Sequence, residues 1–342
     1  MLSRRALLGG GLAAAVSAVG APRGAAAQRV VSDSAGRSVT LPARIDRVFA
    51  AGPPASILVY ALTPDRLLGW PRDLRVEEQA YLPARYAGLP ALGRLTGRGG
   101  TANIETVLAV KPDLILDYGL VTPTYASLAD RVQSQTRVPY ILLDGRLTTT
   151  PRVLRTAGAV LGAGSDGERL ARQAEVMLAD ARRRVDSVPV ARRPRVYYAR
   201  GPKGLETGAA GSINTESLDF VGVRNVAEGV APTGIATVSL EQVLAWNPDT
   251  IVTIDRRFAT TVADDPTWRP VRAVREGRVF LAPLAPFPLI DFPPSVNRLI
   301  GLSWLVSVLY HEEFREDLRV CSPRWSARLS SSGSWPRPGD GR

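Results

Sequence analysis

A phrase of fourteen residues occurs twice in this 342-residue chain, first as NIETVLAVKPDLIL (103–116) and again as SLEQVLAWNPDTIV (239–252). Seven of the fourteen positions are identical, at a constant offset of 136 residues. A chain of this length can hold two domains of ordinary size, each with its own core. The repeat therefore predicts that one structural plan is built twice.

Each copy of the phrase predicts a helix followed by a strand. In IETVLAV and LEQVLAW, apolar residues recur at the helical spacing i, i+3 and i+4. The Pro-Asp pair that follows ends the helix, because the residue before a proline is pushed out of the right-handed α region. The aliphatic and β-branched runs LILDY and TIVTID then predict a short strand.

Further strands flank the phrase in the same order in both halves. Each half opens with a strand that an Arg-Val pair introduces, in RVFAAGPP (47–54) and RVYYARGP (195–202). Each closes with another strand, in VPYILLD (138–144) and GRVFLAPL (277–284). Strands that alternate with helices favour parallel β-α units with both sheet faces covered. We predict the α/β class, with two Rossmann-like lobes that each hold a mainly parallel sheet and flanking helices.

A helical connector joins the two predicted lobes. Thr150-Pro151 predicts the start of one helix. Ser165 with Glu168 predicts a capping box at the start of a second helix, which runs to about Asp186. At 1.5 Å per residue the second helix is roughly 30 Å long, enough to bridge two small domains. Its apolar stripe is formed by Leu170, Ala174, Met177, Ala181 and Val185.

The first 27 residues predict an export signal. They combine a basic start, a Gly/Ala-rich apolar middle and small residues up to Ala27, and Arg4-Arg5 with the apolar pair that follows fits the twin-arginine pattern. Cleavage after Ala27 leaves a protein that is soluble in the periplasm. An uncleaved anchor is the alternative, although the apolar run is short and Gly-rich for a membrane span.

These features divide the chain into five parts. After Val320 the sequence loses periodicity, so we expect a disordered tail. The parts are the cleaved signal (1–27), an N-terminal α/β lobe (28–146), a helical connector (147–187), a C-terminal α/β lobe (188–320) and the tail (321–342).

Charge and rare residues exclude several kinds of site. The formal net charge is +11, but only Lys111 and Lys203 are lysines, so 41 of the 43 basic residues are scattered arginines. This pattern indicates either a general arginine bias or a basic surface for an acidic partner, and we expect no nucleic-acid partner. His311 is the only histidine and Cys321 the only cysteine. An intramolecular disulfide and a metal site built from several His or Cys are therefore excluded.

The sequence contains no strong catalytic motif. It has no P-loop, no H-E-x-x-H and no G-x-S-x-G pattern. Residues 162–167 satisfy G-x-G-x-x-G, but they follow a helical run instead of a strand. They therefore predict a break between helices and not a phosphate site. These observations favour a binding protein that holds no cofactor over an enzyme.

The organisation of the chain resembles the solute-binding proteins of ABC importers, in particular the group that serves iron-siderophores, haem and cobalamin. The resemblance covers about residues 30–318 and rests on several ordered segments. It implies two lobes bridged by one long helix, a ligand cleft between them, and a monomer that meets a membrane permease with its cytoplasmic ATPase. The segments are VSDSAGRSVTLPARIDRVFA, the two copies of the repeated phrase, DPTWRPVRAVREGRVFLAP and RLIGLSWLVSVLY.

The resemblance also gives one residue of each phrase a role. In this family a Glu on each lobe pairs with arginines of the permease, and the matching positions here are Glu105 and Glu241. Each lies in the first turn of a predicted helix, where the helix dipole favours a negative charge. The simpler alternative is that both serve only as good helix-start residues.

The ligand is expected in the cleft, near the carboxyl ends of the strands. Gly-rich turns at Gly99-Gly100 and Gly211-Ser212 suit anionic ligand oxygens, arginines add charged donors, and aromatic rings add flat walls or a tyrosine ligand for iron. The candidate ligand-binding residues are Pro53, Ser56, Trp70, Gly100, Tyr118, Tyr198, Arg200, Gly211, Ser212, Arg256, Arg257 and Phe287.

The sequence leaves the ligand open. An iron-siderophore or a related metal chelate is our first expectation, with haem through a tyrosine as a variant of it. An oxyanion such as molybdate, bound by a protein of the same fold, is the second. An exported α/β enzyme acting on a metallocofactor would need titratable groups in the cleft, for which Asp117, Glu206 and Asp291 are the candidates. A basic scaffold for polyanions is a third class.

Overall fold

The computed structural model describes residues 28–97, 100–232 and 234–314. The predicted signal (1–27), Gly99, and the predicted tail (321–342) with Cys321 lie outside these residues. The two predicted α/β lobes and the helices between them account for the described part of the chain.

The N-terminal lobe is built around a parallel sheet of three strands in the order β3-β4-β5. An antiparallel hairpin, β1 with β2, precedes the sheet. On the other side of β3, Leu67 adds a parallel bridge to Val48. The elements are β1 (Arg29–Ser32), β2 (Ser38–Leu41), β3 (Val48–Ala50), α1 (Pro53–Leu62), α2 (Val76–Gln79), α3 (Ala84–Ala87), α4 (Ile104–Val110), β4 (Leu114–Gly119), α5 (Pro123–Thr136) and β5 (Tyr140–Asp144).

Two helices form the connector, α6 (Thr150–Val160) and α7 (Gly164–Asp186). The predicted start at Thr150 and end near Asp186 are confirmed, and 23 residues make α7 about 34 Å long. The predicted capping box is wrong, because Ser165 lies inside the first turn of α7. Glu168 instead pairs with Arg155 of α6, with 2.6 Å between Oε2 and Nε.

The break between α6 and α7 confirms that the Gly-rich segment at 162–167 separates helices. Gly162 has a φ of +66°, which turns the chain back on itself. A Cβ on Gly158 would lie 2.8 Å from the Cα of Gly167, so the two helices pack with almost no space between their backbones.

The C-terminal lobe holds a parallel sheet of four strands in the order β8-β6-β10-β11. Its order matches that of the first lobe, in which the segment at Leu67, β3, β4 and β5 take the corresponding places. The elements are β6 (Arg195–Ala199), β7 (Glu206–Gly208), α8 (Glu216–Phe220), β8 (Arg224–Asn225), β9 (Ile235–Thr237), α9 (Leu240–Trp246), β10 (Thr250–Thr253), α10 (Arg256–Thr261), α11 (Arg272–Arg275), β11 (Val279–Leu281) and α12 (Arg298–Leu309).

The repeated phrase ends in a contact that we call the Arg–carbonyl clasp. In the first lobe, α4 ends at Val110, just before the Pro-Asp pair as predicted, and its C-cap Lys111 is left-handed (φ +44°). Arg47, just before β3, donates from Nη2 to the carbonyl of Val110 (2.6 Å) and from Nε to that of Lys111 (3.0 Å). The carboxylate of Asp113 adds to the contact by accepting from the backbone N–H groups of Asp46 (2.8 Å) and Arg47 (3.0 Å).

The second lobe repeats this clasp. Arg195, the first residue of β6, donates to the carbonyls of Trp246 (2.6 Å) and Asn247 (3.3 Å). Asn247 has a φ of +43°, and the carboxylate of Asp249 accepts from the N–H of Arg195 (3.1 Å). In both lobes the arginine satisfies carbonyl groups that a helix end leaves without partners. The recurrence of Pro-Asp in the sequence thus marks a recurring way of joining a helix to a sheet.

The apolar core does not divide cleanly between the lobes. Residues on one face of each sheet, such as Val48 and Val196, belong to one buried cluster that also includes Leu170 of α7 and Leu302 of α12. Their neighbours along the strands point the other way and form a separate outer cluster in each lobe. The connector and α12 are therefore part of a core that both lobes share.

We predict that Asp113→Ala and Asp249→Ala each lower the free energy of unfolding by about 1 kcal/mol, because each removes an acceptor from backbone N–H groups of the clasp. Urea denaturation measures the change. Asp130→Ala is the control, since Asp130 pairs with Arg37 at an exposed position and should cost less, about 0.5 kcal/mol. Equal losses in all three variants would contradict a special role of the clasp.

Candidate functional site

A segment before α12 crosses from the second lobe to the first. The ring of Phe287 packs against Tyr60 and Trp70 of the first lobe, with centroid distances of 6.0 and 5.8 Å. Further along, the hydroxyl of Ser295 donates to the carbonyl of Pro54 in the first turn of α1 (2.7 Å). These contacts join the segment before α12 to α1 and to Trp70 of the first lobe.

A buried ion pair between Arg298 and Glu216 also joins the lobes. Arg298 at the start of α12 is fully buried, and it donates to the carboxylate of Glu216 (2.8 Å) and to the carbonyl of Ile213 (3.3 Å). It also donates to the carbonyl of Gly145, just after β5 of the first lobe. The carboxylate of Glu216 accepts from the N–H of Leu147 as well (2.8 Å). Besides bonding to each other, Arg298 therefore bonds to the first lobe and Glu216 to the first residue of the connector.

The second lobe carries a buried arginine directly after the end of a strand. Arg200 follows β6 directly, and its side chain is 9% exposed. Its Nε lies 3.4 Å from the carboxylate of Asp291. The guanidinium carbon lies 5.9 Å from the ring centre of Tyr198 and 5.7 Å from that of Phe292. Aromatic rings at these distances hold a guanidinium by cation–π attraction.

Asp291 lies beside Arg200 and is enclosed by hydrogen-bond donors. Asp291 is fully buried, and its carboxylate accepts from the hydroxyl of Tyr198 (2.9 Å), the amide of Asn214 (2.9 Å) and the N–H of Phe292 (2.7 Å). Burial raises the pKa of this carboxyl above its ordinary value, while Arg200 and the hydrogen bonds act in the opposite direction.

Tyr198 and Arg200 lie close together in the structure, and both side chains are buried. Tyr198 is buried in β6, and its burial beside Asp291 raises its pKa well above the ordinary value. Sequence reasoning missed Phe292 and Asn214 as parts of this group. Phe292 is 65% exposed and left-handed (φ +58°), so its ring stands beside Arg200 in solvent.

Several predicted residues of the first lobe lie under the surface. Trp70 is 2% exposed, and its indole N–H donates to the carbonyl of Tyr86 (2.8 Å). Ser56 is also 2% exposed, and its hydroxyl donates to the carbonyl of Pro53 (2.9 Å). Tyr118 is fully buried in β4, and among the described residues its hydroxyl has no hydrogen-bond partner. Pro53 itself is half-buried at the first position of α1.

The Gly-rich turn of the second lobe already forms hydrogen bonds with other groups of the protein. The N–H of Gly211 donates to the carboxylate of Asp219 (3.0 Å), and Ser212 is buried with its hydroxyl accepting from the N–H of Asn214 (3.3 Å). The prediction that this turn leaves backbone N–H groups open is therefore wrong for Gly211, because Asp219 satisfies that group. In the first lobe, Gly100 is exposed beside its turn.

The remaining predicted residues lie at exposed helix starts. Arg256 and Arg257 open α10 after β10, and both are exposed. Glu105 and Glu241 are the second residues of α4 and α9, and both are exposed. A hydrogen bond from its own backbone N–H and one from Ser239 lower the pKa of Glu241.

The three carboxylates considered for catalysis do not converge. Asp117 is buried in the first lobe, where it accepts from Thr96 (3.1 Å) and Tyr140 (3.0 Å). Asp291 is buried in the second lobe, and Glu206 is half-buried in β7. Within residues 28–97, 100–232 and 234–314, no three His, Cys, Asp or Glu side chains come together as a metal site. In the same residues no helix is both long and apolar enough to cross a membrane.

Comparisons with known proteins agree on one kind of protein. A family model described as periplasmic binding protein matches residues 93–285. The molybdate-binding protein MolA of Haemophilus influenzae is 25% identical over 323 residues, covering 85% of this chain and 88% of that one. An ABC transporter solute binding protein from Sulfurospirillum deleyianum has a TM-score of 0.80 at 27% identity, covering 88% of this chain and 94% of that one. The molybdate-bound structure of MolA has a TM-score of 0.72 at 22% identity, covering 88% and 97%.

We predict that Arg298→Met destabilises the protein by about 3 kcal/mol, because it leaves the carboxylate of Glu216 without its buried partner. Glu216→Gln should cost less, and the double variant should cost less than the sum of the two single variants. A double-mutant cycle by chemical denaturation measures the coupling. Additive losses would show that the two side chains do not act as a pair.

Proposed function

Because this chain belongs to the periplasmic binding protein family, and is therefore the substrate-binding receptor of an ABC importer, we propose that its cleft holds an anionic ligand whose charge meets Arg200. A permease with its cytoplasmic ATPase is then the partner that receives the ligand. We further propose that residues 1–27 direct export by the twin-arginine route, so that the receptor works in the periplasm as a monomer.

The position of Arg200 carries the proposal. The side chain follows a strand that ends at the cleft, and two aromatic rings and Asp291 hold it in place. A guanidinium keeps its charge at every physiological pH and presents donors in a fixed plane. Holding such a group in place before the ligand arrives reduces the ordering cost of binding.

A metal chelate is the ligand class that this group favours. Phe292 exposes a large ring beside the cation, and a flat or bulky anionic chelate, such as a ferric siderophore or haem, can use both. Direct iron ligation by tyrosine is not favoured, because Tyr118 and Tyr198 are fully buried and their burial raises the pKa of both hydroxyls. Contact through the exposed ring of Phe292 and the guanidinium of Arg200 beside it is the alternative.

An oxyanion is the second candidate, and a specific observation favours it. The relative from Haemophilus influenzae that matches most of this chain is a molybdate-binding protein. A small dianion would take its charge partner from Arg200, with Arg256 and Arg257 as further cations on the same lobe. In either case the chain binds its ligand and releases it unchanged.

We also propose that Glu105 and Glu241 meet the permease. Both are exposed in the first turn of a helix, and both lie at the same place in the repeated plan of their lobes. Two fixed negative charges on separate lobes can orient the receptor on a permease that has two halves.

The first prediction concerns the positive charge of Arg200 and its effect on ligand affinity. Purified protein without residues 1–27 should show a higher Tm with a ferric siderophore, haem, molybdate or tungstate, since a ligand that binds only the folded state stabilises it. Arg200→Gln should weaken binding of the active ligand about 100-fold, in line with about 3 kcal/mol for a charged hydrogen bond. Arg131→Gln, an exposed change on α5, is the control. Unchanged ligand affinity in Arg200→Gln would contradict the proposal that Arg200 meets the ligand.

The docking prediction separates transport from binding. Glu105→Ala with Glu241→Ala should abolish uptake in cells that express the importer, while ligand affinity of the purified protein stays the same. Glu77→Ala with Glu312→Ala removes two other exposed carboxylates and should leave uptake intact. Loss of affinity in the first double variant would place these residues in the binding cleft or the fold instead.

A further inference from the structure

The carboxylate of Asp291 has no capacity left for a ligand. One oxygen accepts from Asn214 and from the N–H of Phe292, and the other accepts from Tyr198 and faces Arg200. The side chain is fully buried. Asp291 is therefore a buried carboxylate beside Arg200 that the ligand cannot touch.

This arrangement changes what Arg200 offers to an anion. A lone guanidinium presents one positive charge to the cleft, but here a carboxylate 3.4 Å from its Nε cancels much of that charge. The donors on the guanidinium remain, so the group can still form directed hydrogen bonds. Each further negative charge on a ligand then meets repulsion from Asp291 through a medium of low polarity.

We propose that Asp291 sets the charge of the ligand that the cleft accepts, favouring ligands of low net negative charge over otherwise similar ligands of higher charge. The inference rests on the proposed function, because it takes Arg200 as the group that meets the ligand. It goes further in assigning a residue that makes no ligand contact as the determinant of selectivity.

Removing the charge of Asp291 should therefore raise the affinity for a ligand, and the increase should be larger for a ligand that carries more negative charge. At an effective dielectric constant of about 20 and a separation of roughly 12 Å, one charge pair changes affinity on the order of tenfold. A role of Asp291 in positioning alone would change the affinity of all ligands by the same factor. The dependence on ligand charge is what distinguishes the two roles.

The test compares Asp291→Asn with the wild-type protein on two pairs of probes. Tungstate and perrhenate are both tetrahedral and differ by one charge. A ferric tris-catecholate chelate carries three negative charges, whereas a ferric tris-hydroxamate chelate is neutral. Calorimetry gives the affinity of each probe, and circular dichroism with a thermal melt verifies the fold. Glu276→Gln is the matched control, since it removes one negative charge just before β11, at the opposite edge of the same sheet.

We expect Asp291→Asn to raise the affinity for tungstate about tenfold more than that for perrhenate, and the affinity for the catecholate chelate more than that for the hydroxamate chelate. Glu276→Gln should leave both ratios unchanged. Equal changes within each pair that binds would overturn the inference and leave the proposed function standing. If no probe binds the wild-type protein or the variant, the proposed anionic ligand is itself wrong, and this inference falls with it. Should Asp291→Asn not fold, Asp291→Ser removes the same charge with a smaller side chain.

Discussion

The Arg–carbonyl clasp is the contact on which the geometry of both lobes depends. In each lobe an arginine at the start of a central strand holds the end of the helix from the repeated phrase, and an aspartate completes the contact. Because the helix end is fixed at the amino edge of the sheet, its first turn is fixed too. The exposed Glu of that turn and the strand end on the cleft side are therefore positioned by the same contact. The clasp, which is present in both lobes, therefore positions both the proposed docking charges and the proposed binding surface.

The two lobes are related by repetition but are not independent. One buried cluster continues from β3 through α7 to β6 and α12, and the Arg298–Glu216 pair adds a charged bond at the same boundary. A shared core of this kind resists wide opening, because opening would expose apolar surface and leave a buried charge without its partner. Small changes at the loops and side chains of the cleft are more compatible with this packing than a large hinge movement.

Much of the fold followed from local sequence patterns. The repeat, the helix spacing and the Pro-Asp stop predicted the two lobes, because these signals act within a few residues of one another. The clasp did not follow from them, since Arg47 and Lys111 are far apart in sequence and only the folded chain brings them together. The capping box at Ser165 was wrong by a shift of the helix start, which is the least certain feature of any helix pattern.

The residues of the candidate site could be predicted from the sequence only in part, because some of them lie far apart along the chain. Arg200 was found because it follows a strand directly, whereas Phe292 and Asn214 approach it from distant loops. Tyr118 and Tyr198 were expected at the cleft, yet they lie within strands whose two faces are both covered. Parallel strands of this kind bury nearly every side chain, so an aromatic residue inside one belongs to the core. Only residues beyond the strand end are free to face a ligand.

The shared core also limits how such a receptor can be recombined. A chimera that joined the first lobe of this chain to the second lobe of a relative would cut through the cluster that contains Leu170 and Leu302. The two halves would meet along side chains that had never packed together, and the resulting voids or clashes would cost stability. Exchange of α7 and α12 together with the second lobe would keep more of the matching surfaces. The practical unit of exchange in this protein is therefore larger than the lobe that its repeat defines.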